Sequence, residues 1–359
     1  MTPLQNAHRY RGIGTYVRGL ARRLARQTEI PLEFWGWAGE GAFEPPPPHR
    51  TVLLPKSNAP EYRGAWLFAL MAMRRRARLS TVRAVHVTDP QALSSLGTRK
   101  LFTTVYDLIP LKQGLDRRRL FGWAGYQMYL RGLKRVDTYF AISEQTAADL
   151  VTLLRIPASR IVVAPPGIEV TARAPAPQRQ ARPYFLYLGG PNPNKNLSVL
   201  LAAMANCSDL AEELRIAGRW LPRQTSALEV EVSARGLTGR VRHLGFVPNE
   251  ELLDLMVGAT ALVVPSRDEG FGLPVAEGLA AGAAVVHSRI AVLEETSSGA
   301  ALTFDPTSAE ELAACLRRTA RDPKLTDELR RQGIKRAAAL TWDLAFERTM
   351  AAYRAAVPS

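Results

Sequence analysis

Two glutamates eight positions apart, Glu269 and Glu277, bracket a glycine turn in VVPSRDEGFGLPVAEGLAAG. Gly270 and Gly272 let backbone N–H groups come close to a ligand. Pro274 suits the first turn of a helix that Gly282 stops. The N-terminus of such a helix carries a positive dipole and attracts phosphate. Carboxylates do not bind phosphate, so those of Glu269 and Glu277 are expected to accept hydrogen bonds from hydroxyl groups on either side of it. A sugar nucleotide has that layout, with sugar hydroxyls at one end, a diphosphate between, and ribose hydroxyls at the other.

These residues need a strand to end at Val264 and a helix to begin near Pro274, and the rest of the chain repeats that pattern. In the first half, apolar runs at Ala84–Val87, Leu101–Val105, Thr138–Ile142 and Ile161–Ala164 predict buried strands. Helical spacing lies between them at Tyr16–Arg26, Trp66–Leu79, Leu120–Arg131 and Glu144–Leu154. In the second half the predicted strands are Tyr184–Leu188, Leu214–Ala217, Val241–Leu244, Ala261–Val264 and Ala284–His287. The predicted helices are Leu197–Met204, Ala227–Arg235, Glu250–Val257, Pro274–Ala281 and Ala309–Ala320. Alternating strands and helices predict an α/β fold of parallel, doubly wound sheets. A Pro-rich stretch at 171–183 reads as a linker between two such halves, and 359 residues suit two domains.

Charge divides at the same place. Residues 1–180 hold 27 basic and 12 acidic side chains, a net +15, whereas residues 181–359 hold 20 and 21, a net −1. The excess clusters at Arg18, Arg22, Arg23 and Arg26, at Arg74, Arg75, Arg76 and Arg78, and at Arg117–Arg119. The second cluster follows the apolar stretch Trp66–Met73, a pattern suited to an anionic membrane surface. Nucleic acid is not expected as a partner, because no aromatic residues alternate with the basic ones and no nucleic-acid motif is present. No apolar run reaches the length of a membrane span, and the opening residues lack an apolar leader. The two cysteines, Cys207 and Cys315, have no metal or disulfide spacing, so the expected setting is the cytoplasm, with peripheral attachment to the membrane's inner face.

The stretch Glu269-GFGLPVA-Glu277 resembles the donor-site signature of the retaining group 1 glycosyltransferases (family 4). The resemblance runs along nearly the whole chain, through YRGIGTYVRGL, YDLIPL, YFAISEQTAADL, YFLYLGGPNPNKN and VRHLGFVPNEELLDLMVGATALVVPS. It implies the GT-B fold, two Rossmann-like doubly wound domains facing across a cleft. It further implies an acceptor-binding domain at 1–175, a nucleotide-sugar domain at 183–340, and a C-terminal helix at 341–359 crossing back. By that resemblance Glu269 faces the donor sugar. The N–H groups of Gly270, Phe271 and Gly272, with Leu273 beside them, hold the sugar and distal phosphate. Glu277 binds the ribose, Lys195 the diphosphate, and Phe246 and Val247 lie near the base. Gly12 and Gly14, in a loop before a helix, approach the donor phosphate.

The family counterparts also mark departures. Many relatives carry an Arg at the positions of Gly190 or Asn194, and Arg219 is the expected substitute cation. Many have His where Tyr106 stands; a phenol is a poor base near neutral pH. Retaining transfer in this family needs no protein base, since the leaving phosphate takes the acceptor proton, and Asp107 is expected either to orient the acceptor or to cap the following turn. The family's chain opens with a strand before Pro-Leu-Gln, whereas here Thr2-Pro3-Leu4-Gln5 follows Met1, so a central strand is expected to be missing. No Asp-x-Asp or His cluster is present, so no metal or cofactor is expected. The reaction expected is transfer of a hexose, mannose before glucose, from a GDP- or UDP-linked donor to a glycan or lipid-linked acceptor. The alternatives are a catalytically silent nucleotide-sugar-binding protein and a GT-B sugar-nucleotide epimerase.

Overall fold

The computed structural model of the chain describes residues 12–37, 43–54, 71, 75–76, 80–88, 100–113, 127, 130–169 and 182–356. Its strands are β1 (Glu33–Trp37), β2 (Arg50–Leu54), β3 (Ala84–Val87), β4 (Lys100–Val105), β5 (Thr138–Ala141), β6 (Ile161–Val163), β7 (Tyr184–Leu188), β8 (Glu213–Ala217), β9 (Val241–Gly245), β10 (Ala261–Val264), β11 (Val285–Ser288) and β12 (Leu302–Phe304). Its helices are α1 (Gly12–Leu24), α2 (Ile109–Lys112), α3 (Glu144–Leu154), α4 (Leu197–Asn206), α5 (Pro222–Ala234), α6 (Asn249–Gly258), α7 (Leu273–Ala281), α8 (Ala291–Ser297), α9 (Ala309–Arg321), α10 (Pro323–Ala337) and α11 (Trp342–Ala356). They divide into two units. One gathers the residues up to Gly167 with those from Trp342 on, and the other runs from Ile168 to Thr341. Of the expected linker at 171–183, residues 171–181 lie outside the described residues.

The second unit is one sheet in the order β12-β11-β10-β7-β8-β9, parallel throughout. Its central strands, YFLYL, ALVV and VVHS, are apolar almost without interruption because both faces are covered. Phe185 and Tyr187 point into a core shared with α4, α5 and α9, among Leu200, Met204, Leu228 and Leu316. Their neighbours Tyr184 and Leu186 point the other way, into a core shared with α6, α7 and α8, among Met256, Leu279 and Leu293. The two cysteines are buried, unpaired thiols. The strand order reverses between β7 and β10. β8 and β9 follow on one side, and β11 and β12 on the other. The helices that follow these two strands, α4 and α7, cover opposite faces of the sheet, and the carboxyl ends at such a reversal form a crevice that is the usual ligand position in doubly wound sheets.

The first unit holds a parallel sheet β3-β4-β5-β6 and a parallel pair β1-β2. Trp35 and Val52 share one core with Val87, Leu101 and Val105. β1 and β3 each end a sheet, with no strand joining them among the described residues. Residues 1–11, on which the expected loss of a central strand turned, lie outside that set. β1 and β2 escaped the sequence reading because a charge opens each short run and Gly36 breaks the first. Glu33 opens β1 and takes the guanidinium groups of both Arg50, from β2, and Arg76. Arg23 likewise pairs with Asp343 of α11 at 3.0 Å. Part of the basic excess is therefore spent inside this unit. Arg74, Arg78 and Arg117–Arg119 lie outside the described residues, as do all of residues 66–73 except Met71.

Gly12 and Gly14 require a correction, since both belong to the first turn of α1 rather than to a loop before it. A glycine costs about 1 kcal/mol in a helix, but burial of Tyr16, Val17, Leu20 and Leu24 along one face offsets that cost. Helix α11 packs on this face. Trp342 meets Tyr16 edge to face at 5.8 Å between centroids. The Tyr353 hydroxyl hydrogen-bonds His86 Nδ1 at 2.6 Å, while His86 Nε2 meets Thr104 Oγ1 at 2.9 Å. Burial lowers His86 to about 3, so the imidazole stays neutral and structural.

A Cβ added at Gly19 would sit 2.2 Å from Trp342 Cζ2. Gly19→Ala is expected to force the indole out of place and to cost about 2 kcal/mol of stability, within the usual range for overpacking. Thermal unfolding of the two proteins checks this, and equal melting temperatures would show that α1 and α11 do not pack so closely.

Candidate functional site

The crevice at the carboxyl ends of β7 and β10 is built by two loops that hold each other. After β7 the chain makes a turn through Gly189 and Gly190, then a short 3₁₀ turn at Pro193–Lys195. Asn196 follows at φ 53°, a left-handed conformation that asparagine tolerates, and starts α4. Its buried amide nitrogen donates to Pro265 O at 3.0 Å and to Pro306 O at 2.8 Å, which fastens the β7 loop to the loops after β10 and β12. The Arg267 backbone N–H donates to Asn194 O at 2.7 Å, and Asn194 Nδ2 donates to Asp268 O at 3.3 Å. The β10 loop is thus tied to the 3₁₀ turn by backbone and side chain alike.

That tie brings Lys195 and Glu269 together. Lys195 Nζ lies 2.6 Å from Glu269 Oε1, and Ser266 Oγ donates to the same oxygen at 2.7 Å. The side chains are 21% and 11% exposed, so the pair is largely shielded from water. Beneath it, the Tyr187 hydroxyl donates to Gly190 O at 2.9 Å; burial, then the charge of Glu269, raise this phenol so that it stays protonated.

The turn from Gly270 to Gly272 closes onto α7. Gly272 caps the helix at φ 87°, where a Cβ would also meet Leu293 Cδ2 at 2.3 Å, so only glycine fits. Phe271 is buried, and its carbonyl accepts from the Thr296 hydroxyl of α8. Leu273 begins α7, and Pro274 follows with no N–H to lose. Helix α7 sits hard on the sheet, because a Cβ at Gly278 would lie 2.4 Å from Leu262 Cδ2. Glu277 rides on the second turn of this helix. Burial pushes its carboxyl up to about 7, as low dielectric disfavours the charged form.

The ends of β8 and β9 form the flank. Gly218 N–H donates to Gly245 O at 2.8 Å, and a Cβ on Gly218 would lie 2.3 Å from Gly189 O. The Arg219 guanidinium lies 5.1 Å from the centre of the Phe246 ring, which is 54% exposed. Val247 packs partly buried against the core under α6 and α7. Sequence reasoning passed over two residues here. The Trp220 indole donates to Gly189 O at 2.9 Å, and His243, whose ring lies 4.9 Å from that indole, hydrogen-bonds Gly218 O at 3.2 Å. Together they lock the ends of β7, β8 and β9. Their one visible signal was nearness to strand ends, Trp220 three residues past the end of β8 and His243 two before the end of β9.

The remaining candidates lie in the first unit. Tyr106 is buried, its hydroxyl donating to Thr88 O at 3.0 Å and its ring edge-on to Tyr16. Asp107 Oδ1 accepts from the Ile109 N–H at 3.1 Å, the turn-capping contact weighed above. Gly12 and Gly14 lie in α1. The second unit therefore joins Lys195 to Glu269, sets Gly270–Leu273 between that pair and the start of α7, carries Glu277 on the second turn of α7, and pairs Arg219 with Phe246 beyond the ends of β8 and β9. Among the described residues no group of three or more His, Cys, Asp or Glu side chains is placed to hold a metal, and no helix is long and apolar enough to cross a membrane.

Comparison with known proteins agrees with this architecture. Residues 170–336 match the model of "Glycosyl transferases group 1", and residues 10–172 match that of "Glycosyltransferase Family 4". The O-antigen chain mannosyltransferase B of Escherichia coli is 28% identical over 226 residues, 59% of this chain and 59% of its own. The matched part is thus about three fifths of that relative's length. Sucrose-phosphate synthase from Thermosynechococcus elongatus superimposes with a TM-score of 0.80 at 22% identity, over 96% of this chain and 93% of its own. Anabaena Alr3699/HepE, solved in complex with UDP and glucose, superimposes with a TM-score of 0.70 at 16% identity, over 85% and 86%. The fold is GT-B, built on two Rossmann-like domains, and the chain belongs to the group 1 glycosyltransferases.

Proposed function

We propose that the chain transfers a hexose from a nucleotide-sugar donor to a glycan or lipid-linked acceptor, with retention at the anomeric carbon and without a metal ion. One observation carries this reading: a cation bonded to a carboxylate lies where the strand order reverses, the carboxylate in the loop that leads to a glycine-capped helix start with a second carboxylate, Glu277, one turn further on. Lys195 supplies the positive charge for the diphosphate, with Arg219 as a second cation from the flank. The N–H groups of Gly270, Phe271 and Gly272 face the sugar and distal phosphate, and Glu269 accepts from the sugar hydroxyls. Glu277 accepts from the ribose, and the base lies along Phe246 and Val247. An acceptor hydroxyl attacks the anomeric carbon on the face from which the nucleoside diphosphate departs. The C–O bond to the leaving phosphate breaks, and that phosphate's oxygen takes the hydroxyl proton. Tyr106, with a buried hydroxyl already bonded to Thr88, is not needed as a base. The E. coli relative's name favours mannose, and the UDP and glucose bound in HepE favour a nucleotide-linked hexose.

The decisive measurement is release of hexose and nucleoside diphosphate from GDP-mannose and UDP-glucose in the presence of EDTA. Turnover with one of them is expected to persist. No turnover with either, or strict dependence on added metal, would overturn the reading. Lys195→Ala should weaken UDP or GDP binding at least tenfold while leaving uridine or guanosine binding unchanged, because the lost contact is to phosphate.

The raised carboxyl of Glu277 adds a pH signature. Only the ionised form accepts two strong hydrogen bonds from a ribose, and it predominates above about pH 7. Nucleoside diphosphate affinity is expected to fall as pH drops from 8 to 6, and Glu277→Gln should flatten the profile at the weak end, about 1–3 kcal/mol below the wild type at pH 8. Parallel profiles would remove Glu277 from the binding site. The surplus charge of the N-terminal half supports an anionic membrane as the place where a lipid-linked acceptor is met. Co-sedimentation with anionic vesicles, lost at high salt and absent with neutral ones, is the expected outcome; equal recovery with both lipids would favour a soluble acceptor.

A further inference from the structure

Lys195 and Glu269 are bonded to each other, yet donor binding asks each of them for a different partner. The ammonium is needed by the diphosphate and the carboxylate by the sugar hydroxyls. The two loops cannot separate the groups by moving apart, because Asn194, Asn196, Arg267 and Asp268 tie them together within a few residues of the pair. Nor can Glu269 swing away freely, since Ser266 Oγ holds the same Oε1 at 2.7 Å. A diphosphate oxygen seated on Lys195 Nζ therefore comes close to a carboxylate that is 11% exposed, where repulsion between like charges is poorly screened.

We propose that Glu269 is a built-in competitor of the donor's diphosphate and thereby makes the site prefer the intact donor to the nucleoside diphosphate product. This rests on the donor-site reading above. With an intact donor, the sugar hydroxyls take over the carboxylate by donating to it, its charge is spread over several hydrogen bonds, and Lys195 passes to the phosphate. Once the sugar has left, nothing occupies the carboxylate. Glu269 again draws on Lys195, and the diphosphate, now the product, shares its cation and is held less tightly. One side chain thus positions the sugar before transfer and weakens the hold on the product after it. A pair that only fastened the two loops would have no such effect.

The test measures UDP, GDP and inorganic pyrophosphate binding to the full chain by calorimetry. Glu269→Gln keeps an oxygen for Ser266 and removes the charge. It is expected to tighten the diphosphates that bind the wild type by about tenfold, the scale of freeing one partly buried cation from its partner, although turnover falls. In the Lys195→Ala background the same substitution should produce no tightening, which locates the effect in the pair. Glu269→Asp, which pulls the carboxylate back by one methylene, should tighten binding less than Gln, and it serves if the Gln variant does not fold. Diphosphate affinity unchanged or weakened in Glu269→Gln or Glu269→Asp, with Lys195→Ala still weakening it, would overturn this proposal and leave the donor site intact. Failure of all three probes to bind the wild type and the variants would overturn the donor-site reading and this proposal with it.

Discussion

Leu186 of β7 lies beside Leu262 of β10 in a parallel pair, and the chain reaches these two neighbours from opposite halves of the unit. Because both strands run the same way, their following loops leave the sheet at the same edge. One loop carries Lys195 and the other Glu269. Everything in the crevice depends on this pairing: the amide of Asn196 reaches Pro265, the Arg267 N–H reaches Asn194, and the ammonium reaches the carboxylate. The burial of β7 and β10 on both faces makes the register hard to shift, since Tyr184, Phe185, Leu186 and Tyr187 would all lose their pockets.

Charge in the crevice is arranged so that opposite tendencies coexist. The capped start of α7 and Lys195 favour an anion, while two carboxylates stand within the same segment. Glu269 is neutralised by an ion pair, and Glu277 by burial that favours its protonated form up to about pH 7. The two carboxylates are thus held in different ways, one by a cation and one by burial. Gly272 is held at φ 87° against Leu293, where no side chain fits.

The first unit follows a different economy. Several of its described ionisable groups are committed to structure: Glu33 to Arg50 and Arg76, Arg23 to Asp343, and neutral His86 to Tyr353 and Thr104. Tyr106 and Asp107, attractive in the sequence as site residues, make contacts that shape the end of β4, with the phenol on Thr88 and the carboxylate on the turn to Ile109. The return of the chain through α11 makes the buried face of α1 complete.

Much of the fold was legible because buried parallel strands are written as short apolar runs and their helices as amphipathic ones. Tyr184–Leu188, Ala261–Val264 and Glu144–Leu154 have the bounds that their residues predict. Strands β1, β2 and β12 were not legible: in the first two, at five residues, a charge or a glycine is enough to hide the pattern, and β12, at three, is too short to show one. The site divides the same way. The Glu269–Glu277 turn is contiguous, so its glycines, its proline and its helix could be read as one local motif, and the sequence alone determined the family resemblance and the glycine-capped start of α7. The Lys195–Glu269 ion pair, the Arg219–Phe246 stack, and the Trp220 and His243 bridges to Gly189 and Gly218 were decided only in three dimensions. Their partners are 25 to 74 residues apart along the chain, and which loops meet depends on strand order, a non-local choice that periodicity and spacing do not carry.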